Sequence, residues 1–203
     1  MIDDRRLYAP AAARNREPIR EVLQRHLPPA GLVLEIASGT GEHVAFLAGA
    51  SAPELIFQPS DPDAAARASI DAWATMLSLP NVRPAIALDA ASPVWPATAA
   101  DAVLSINMIH IAPWRATLGL MSGAARILDD GGLLYLYGPF RRHGRHTAVT
   151  NETFDADLRQ TNPEWGVRDL ETVAELAAAN GFAPPSVIEM PANNLSLVFR
   201  RQS

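Results

Sequence analysis

Seven short apolar runs, at residues 32–36, 55–57, 85–88, 102–106, 133–137, 186–190 and 195–199, alternate with amphipathic stretches along the chain. The first five are apolar almost without a break, which suits strands covered on both faces of a parallel sheet. Helix signals lie between them. Ile19, Val22, Leu23 and Leu27 recur at helical spacing behind Pro18, a residue favoured in a first turn. Pro62 opens a helix carrying Ile70, Trp73 and Leu77 on one side, and Asp61 before it is a candidate cap. Pro113 opens another, which runs through Leu120 to Leu128 and stops before Asp129-Asp130-Gly131-Gly132. Asp169 is placed to cap a helix over 170–180, and Gly181 stands where a left-handed C-terminal residue belongs.

The last two runs have only Pro191-Ala192-Asn193-Asn194 between them. A parallel connection takes about a dozen residues, so this pair must turn back as an antiparallel hairpin. The expected fold is α/β, a Rossmann-like doubly wound seven-stranded sheet, mostly parallel and closed by that C-terminal hairpin. At about 150 residues per domain, the 203 residues predict one domain over 1–203, with 1–29 as an N-terminal lid or helix segment and 30–203 as the core.

Composition narrows the chemistry. Cysteine is absent, which excludes disulfides, thiolate metal sites and cysteine nucleophiles. All 17 basic residues are arginine, so neither a Schiff-base lysine nor the lysine of a P-loop is available. A net charge of −5 argues against a nucleic-acid partner. The start, Met1-Ile2-Asp3-Asp4-Arg5-Arg6, is charged where an export signal is apolar, and no run approaches the roughly 18 apolar residues of a membrane span. No membrane partner and a cytoplasmic location are expected. The G-x-S-x-G elbow of an α/β-hydrolase is also missing.

Candidate chemistry concentrates at Leu34-Glu35-Ile36-Ala37-Ser38-Gly39-Thr40-Gly41-Glu42-His43, where an apolar strand ends in a loop of small residues and a helix begins. Small residues let a ligand approach the backbone, and the helix start offers unpaired N–H groups. Valine at position 44 denies the third glycine of the strict dinucleotide pattern. Glu35 suits a cationic ligand group, and a carboxylate on a buried strand needs a partner, either a protein donor or a ligand ammonium. Asp61 closes the second strand 20 positions beyond Gly41, where a carboxylate can accept from both hydroxyls of a ribose. Asp89 follows the third strand, as an acceptor for an adenine amino group or as an ordinary turn residue.

These residues resemble the class I S-adenosylmethionine-dependent methyltransferases, in which an acid-x-G-x-G-x-G loop and acids after strands two and three surround the cofactor. Here the loop reads Glu35-x-Ala37-x-Gly39-x-Gly41, with alanine in place of the first glycine. A narrower likeness covers most of the chain. Its segments are Pro10-Ala11-Ala12-Ala13-Arg14-Asn15-Arg16-Glu17-Pro18-Ile19, the loop, Gln58-Pro59-Ser60-Asp61, Pro163-Glu164-Trp165-Gly166-Val167-Arg168-Asp169-Leu170 and Met190-Pro191-Ala192-Asn193-Asn194-Leu195. In these it is similar to the methyltransferase-like 26 family. The resemblance implies S-adenosyl-L-methionine as cofactor, held by Glu35, Ala37, Ser38, Gly39, Thr40 and Gly41, by Asp61 at the ribose, and by Asp89 and Ala90 at the adenine. Asn107 and Met108 would sit beside its methionine end.

His110, at the end of the fourth strand, is the candidate general base because an imidazole titrates near neutrality. The alternative is a histidine satisfied by nearby backbone. Tyr8, Arg14 and Asn15 precede the first strand, where the resemblance places a lid. Arg141 opens the basic loop Arg141-Arg142-His143-Gly144-Arg145-His146, which suits an anionic substrate or is simply solvated. No carboxylate near His143 and His146 in the sequence completes a set of metal ligands, so no metal is expected. The expected function is transfer of a methyl group by in-line alignment and desolvation to a small molecule, an anionic one where the arginine loop holds it. A non-catalytic cofactor- or partner-binding module is the alternative. An NAD-dependent oxidoreductase is a weaker one, opposed by Val44 and by the closing hairpin.

Overall fold

The computed structural model describes residues 4–202, so positions 1–3 of the charged start lie outside the described residues. The chain forms α1 (Pro10–Leu23), β1 (Gly31–Ile36), α2 (Glu42–Gly49), β2 (Leu55–Ser60) and α3 (Ala64–Met76). Next comes β3 (Ala100–Ile106), followed by a 3-10 turn at Met108–His110, α4 (Trp114–Ile127) and the long β4 (Leu128–Arg142). The short β5 (Arg145–His146) and β6 (Arg168–Asp169) flank α5 (Val149–Thr161). The fold ends with α6 (Leu170–Ala179), β7 (Ser186–Met190) and β8 (Asn194–Arg200).

The sheet runs in the order β2-β1-β3-β4-β8-β7. Its first four strands are parallel, while β8 runs antiparallel to β4 and β7 antiparallel to β8. Alternation along the strands divides the core in two. Leu34, Val103, Leu134 and Leu136 pack with Leu120 of α4 and Ala177 of α6. Val33, Ala102, Leu104 and Tyr135 pack with Ile19, Val44 and Ile70 of α1, α2 and α3. Helices therefore cover both faces, as the unbroken apolar runs predict, and the closing hairpin is antiparallel.

Several local expectations are corrected. The run at 85–88 makes no regular strand. Residues 81–86 follow β2 through two isolated parallel bridges, Phe57↔Val82 and Ser60↔Ile86. Pro59 and Pro84 lack the N–H groups a continuous ladder needs. Helix α1 starts at Pro10 rather than Pro18, which lies inside it. Asp63, not Asp61, caps α3, accepting the Ala66 N–H at 2.8 Å. Asp169 occupies the N-cap position of α6, but its carboxylate takes the Gly144 N–H at 2.7 Å. Helix α5 was carried by no signal read above.

Register matters for the site. Ile36 pairs with both Ser60 and Ser105, and Ser105 pairs with Leu136. The loop after β1, Asp61 after β2, Asn107 after β3 and the end of β4 consequently open on one edge of the sheet, where parallel α/β sheets bind ligands.

Candidate functional site

The loop after β1 is built for close approach. Ala37, Gly39 and Gly41 all have positive φ, at 57°, 56° and 88°. A Cβ on Gly41 would stand 2.7 Å from the Ile70 Cα, so α3 can pack there only against glycine. At Gly39 the position of a Cβ has no protein atom within 4 Å beyond its own chain neighbours. One glycine thus serves the core and the other faces open space.

Asp61 braces this loop. One carboxylate oxygen accepts the Gly39 N–H at 3.0 Å and the other accepts the Asp63 N–H at 2.9 Å. Each oxygen keeps a second acceptor site. Ser38 donates its N–H to the Ser60 carbonyl at 2.9 Å, and Thr40 donates its hydroxyl to Glu42 at 3.0 Å.

Glu35 lies below, only 2% exposed, and its Oε2 has no hydrogen-bond partner. Burial raises its pKa to about 7, with Ser38 opposing the shift and the Asp61 carboxylate adding to it. The protein donor expected for this oxygen is not there. Asp89 lies exposed beyond the 81–86 segment and accepts the Ala91 N–H at 2.9 Å, as a turn residue does. Ala90 and Met108, expected at the cofactor, are instead buried in the core cluster around α4. The Ala90 carbonyl lies 2.1 Å from where a Cβ on Gly119 would stand, so this stretch is clamped to α4.

His110 is 1% exposed and faces Phe140 edge-on, with ring centroids 5.0 Å apart. Its Nδ1 receives the Arg168 N–H at a long 3.5 Å, and its carbonyl receives the Gly166 N–H at 2.9 Å. Burial, reinforced by the charge of Arg168, lowers its pKa to about 3. A proton acceptor at Nδ1 puts the imidazole proton on Nε2, which is buried and unpartnered. The ring is therefore held neutral inside the fold, which speaks for the structural alternative and against the expected role of His110 as a general base.

Beside Asn107, whose φ is 63°, a cleft of about 610 Å³ opens between α1, α5 and the β7–β8 turn. Its polar lining includes Arg14 and Asn15 from α1 and Asn107 itself. Asn151 from α5 and Asn193 and Asn194 from the turn add three further amides. Ile111, Pro139 and Phe154 form its apolar walls. The sequence reading reached Arg14, Asn15 and Asn107 but missed the contributions of α5. The Asn193-Asn194 pair carried a signal in being polar at the tip of the closing hairpin.

Residues 6–9 are strapped beside the loop. Glu42 accepts the Ala9 N–H at 2.5 Å, and Ser69 accepts the Leu7 N–H and donates to the Thr40 carbonyl, both at 2.7 Å. Tyr8 meets Trp73 edge-on at 5.1 Å and remains 60% exposed. Arg141 lies on β4 opposite His146 and Asp169, with a buried and unpartnered Nε, and is not among the residues lining the cleft. Its loop is exposed, as a solvated loop is, and carries surface pairs with acids. Arg142 meets Glu189 at 3.5 Å, His143 meets Glu171 at 3.3 Å and His146 meets Asp155 at 3.6 Å. The two histidines thus reach different carboxylates, and no metal-holding group of three such side chains occurs among the described residues. Nor is any described helix long and apolar enough to cross a membrane.

Known structures share this architecture. The chain is similar to an O-methyltransferase family protein from Burkholderia thailandensis (TM-score 0.79, 19% identity, 92% of this chain and 56% of that one). An O-methyltransferase family 2 protein from Planctomyces limnophilus, solved with apigenin, matches with TM-score 0.80 and 16% identity over 94% and 58% of the two chains. Human N-acetylserotonin methyltransferase, solved with SAM, matches at 0.71 and 12% over 93% and 55%. The chain spans a little over half the length of these proteins, and at such identities the likeness is one of fold. The family model described as protein of unknown function (DUF938) matches residues 6–201, and by that match the chain belongs to the DUF938 family.

Proposed function

We propose that the crevice above β1 and β2 binds S-adenosylmethionine and that the protein transfers its methyl group to a small molecule seated in the neighbouring cleft. The observation that carries this reading is Glu35, a buried carboxylate with an unpaired oxygen beneath a glycine turn that faces open space. Leaving such a group unmatched is costly, and an ammonium-bearing ligand supplies the missing donors. Asp61, with acceptor capacity to spare on both oxygens, takes the ribose, and the free oxygen of Asp89 takes the adenine amino group. Ala37, Ser38 and Thr40 shape the turn, while Asn107 stands between crevice and cleft. The narrower kinship with the methyltransferase-like 26 family, one domain over 1–203 and a cytoplasmic location belong to the same proposal.

When bound, the cofactor supplies a methyl group already activated on a sulfonium. The protein's share is alignment and exclusion of water. The cleft lining contains no carboxylate, imidazole or amine, so it positions an acceptor without offering to take its proton. Its size suits a small molecule. Calorimetric titration with S-adenosylmethionine is expected to give a Kd on the order of micromolar, lost in Asp61→Ala. Wild type giving neither heat nor a thermal shift rejects the proposal. The burial of His110 favours a second reading, a binding module without transfer. Formation of S-adenosylhomocysteine on incubation with cell extract separates the two, since a pure binder yields none.

A further inference from the structure

The cleft has a charge that nothing answers. Arg6, Arg20, Arg115, Arg142 and Arg159 each lie within 3.5 Å of a carboxylate. Arg14 makes no ion pair or hydrogen bond among the described residues, and no acidic residue lines the cleft with it. Arg83 is likewise without an ion pair among the described residues in the concavities it lines, but Arg14 stands in the cleft beside Asn107 and among its amides. Its planar fork matches a carboxylate. Asn15, on the next residue of α1, likewise has no hydrogen-bond partner among the described residues and adds amide donors.

Part of the lining is apolar and exposed. Phe154 is 40% exposed and Ile111 46%, both onto this cleft. The rim between them and β8 is held in a strained form. Ala192 and Asn193 are both left-handed, at φ 56° and 58°. Asn151 ties this rim to α5 by donating to the Asn193 carbonyl at 2.9 Å, and Asn193 donates to Thr150 at 3.4 Å. Strain maintained by cross-links is the mark of a preorganised site.

We infer that the cleft binds a small organic acid, its carboxylate on the Arg14 guanidinium and its apolar body against Phe154 and Ile111. This rests on the methyltransferase reading and names its acceptor class. A carboxylic acid is ionised at neutral pH, which agrees with a lining that has no group to deprotonate an alcohol or amine. A lone guanidinium, with no second cation among the lining residues, matches one negative charge rather than a phosphate dianion.

The test uses the full chain saturated with S-adenosylhomocysteine. Benzoate, phenylacetate and hexanoate are titrated by calorimetry, each beside its primary amide, together with phenyl phosphate. At least one acid is expected to bind about tenfold or more tightly than its amide, the worth of a charge-assisted fork. Arg14→Gln brings that acid down to the affinity of its amide, Arg14→Lys retains part of the preference, and both keep the wild-type affinity for S-adenosylhomocysteine. Equal binding of acids and amides, a preference that survives Arg14→Gln, tighter binding of phenyl phosphate than of every acid, or no binding of any acid overturns the inference. Failure of wild type to bind S-adenosylhomocysteine or S-adenosylmethionine overturns the methyltransferase reading itself, and the inference with it.

Discussion

Glu35 and Asp155 are both buried carboxylates, at 2% and 8% exposure, yet the fold treats them in opposite ways. Asp155, on α5, accepts the Val167 N–H at 2.6 Å and Arg159 Nε at 2.9 Å and faces His146 at 3.6 Å. Burial alone would raise its pKa, but Arg159, the Val167 amide and His146 outweigh it and hold the group below the usual range. Glu35 is buried with Ser38 alone to oppose the shift and one oxygen unpartnered, and its pKa rises. A carboxylate surrounded by protein donors is a fastener. One short of them holds its proton more tightly.

That contrast can be broken by substitution. The largest effect is expected for Asp155→Ala, which strands Arg159 and the Val167 amide. Arg159 is partly solvated, so the main cost is the buried Val167 N–H left unsatisfied, up to about 3 kcal/mol, read as a lowered denaturant midpoint. A loss within about 0.5 kcal/mol would show that the network holds nothing. Because the folded pKa of Asp155 is depressed, its stabilisation is present above its unfolded pKa and fades as pH falls through the folded value.

Glu35→Gln should act with the opposite sign. The folded pKa of about 7 lies above the ordinary value of 4.5. The pH-dependent penalty of Glu35 is therefore absent below pH 4.5 and grows as pH rises to 7, levelling at roughly 3 kcal/mol. Urea denaturation at pH 8 is expected to show Glu35→Gln more stable than wild type by about 2–3 kcal/mol, with the difference vanishing near pH 4.5. The same variant should bind S-adenosylmethionine about tenfold more weakly, as a lost charge-assisted bond implies. Destabilisation at pH 8 would mean that Oε2 of Glu35 has a partner after all.

Gly39→Ala separates folding from binding on the vacant side. The left-handed φ costs an alanine about 1–2 kcal/mol, and no protein atom is crowded by its methyl. Cofactor affinity should nevertheless fall well beyond that cost, because the methyl occupies the space facing the ligand. Titration of a still-folded variant at wild-type affinity would count against the crevice. The smallest effect belongs to His146→Gln, at the edge of the Asp155 network, with a thermal-melt change of at most about 1 kcal/mol.

The two sides also differ in how far they could be read from the chain. The Glu35 loop is local, with strand, small residues and helix inside ten positions, so its place at the strand ends was legible. Asp155 and its partners come from α5, β5 and the segment before β6, and none had a periodic or capping signal strong enough to assemble them. His110 shows the limit within a single motif. Its place at the end of β3 was readable, but whether it faced the crevice or the core was settled by Gly138, where a Cβ would stand 2.5 Å from His110 Nε2, and by the Phe140 ring.

Apolar periodicity and linker length, properties of neighbouring residues, were enough to specify alternating strands and helices, the closing hairpin and acids at the strand ends. Only the tertiary structure decided that Asp63 rather than Asp61 caps α3, that Ala90, Met108 and His110 turn inward, and that Arg14 meets α5 and the hairpin across one cleft. Pairing, desolvation and the proton affinities they set depend on distances between segments far apart in the chain, and those distances exist only once the layers have packed.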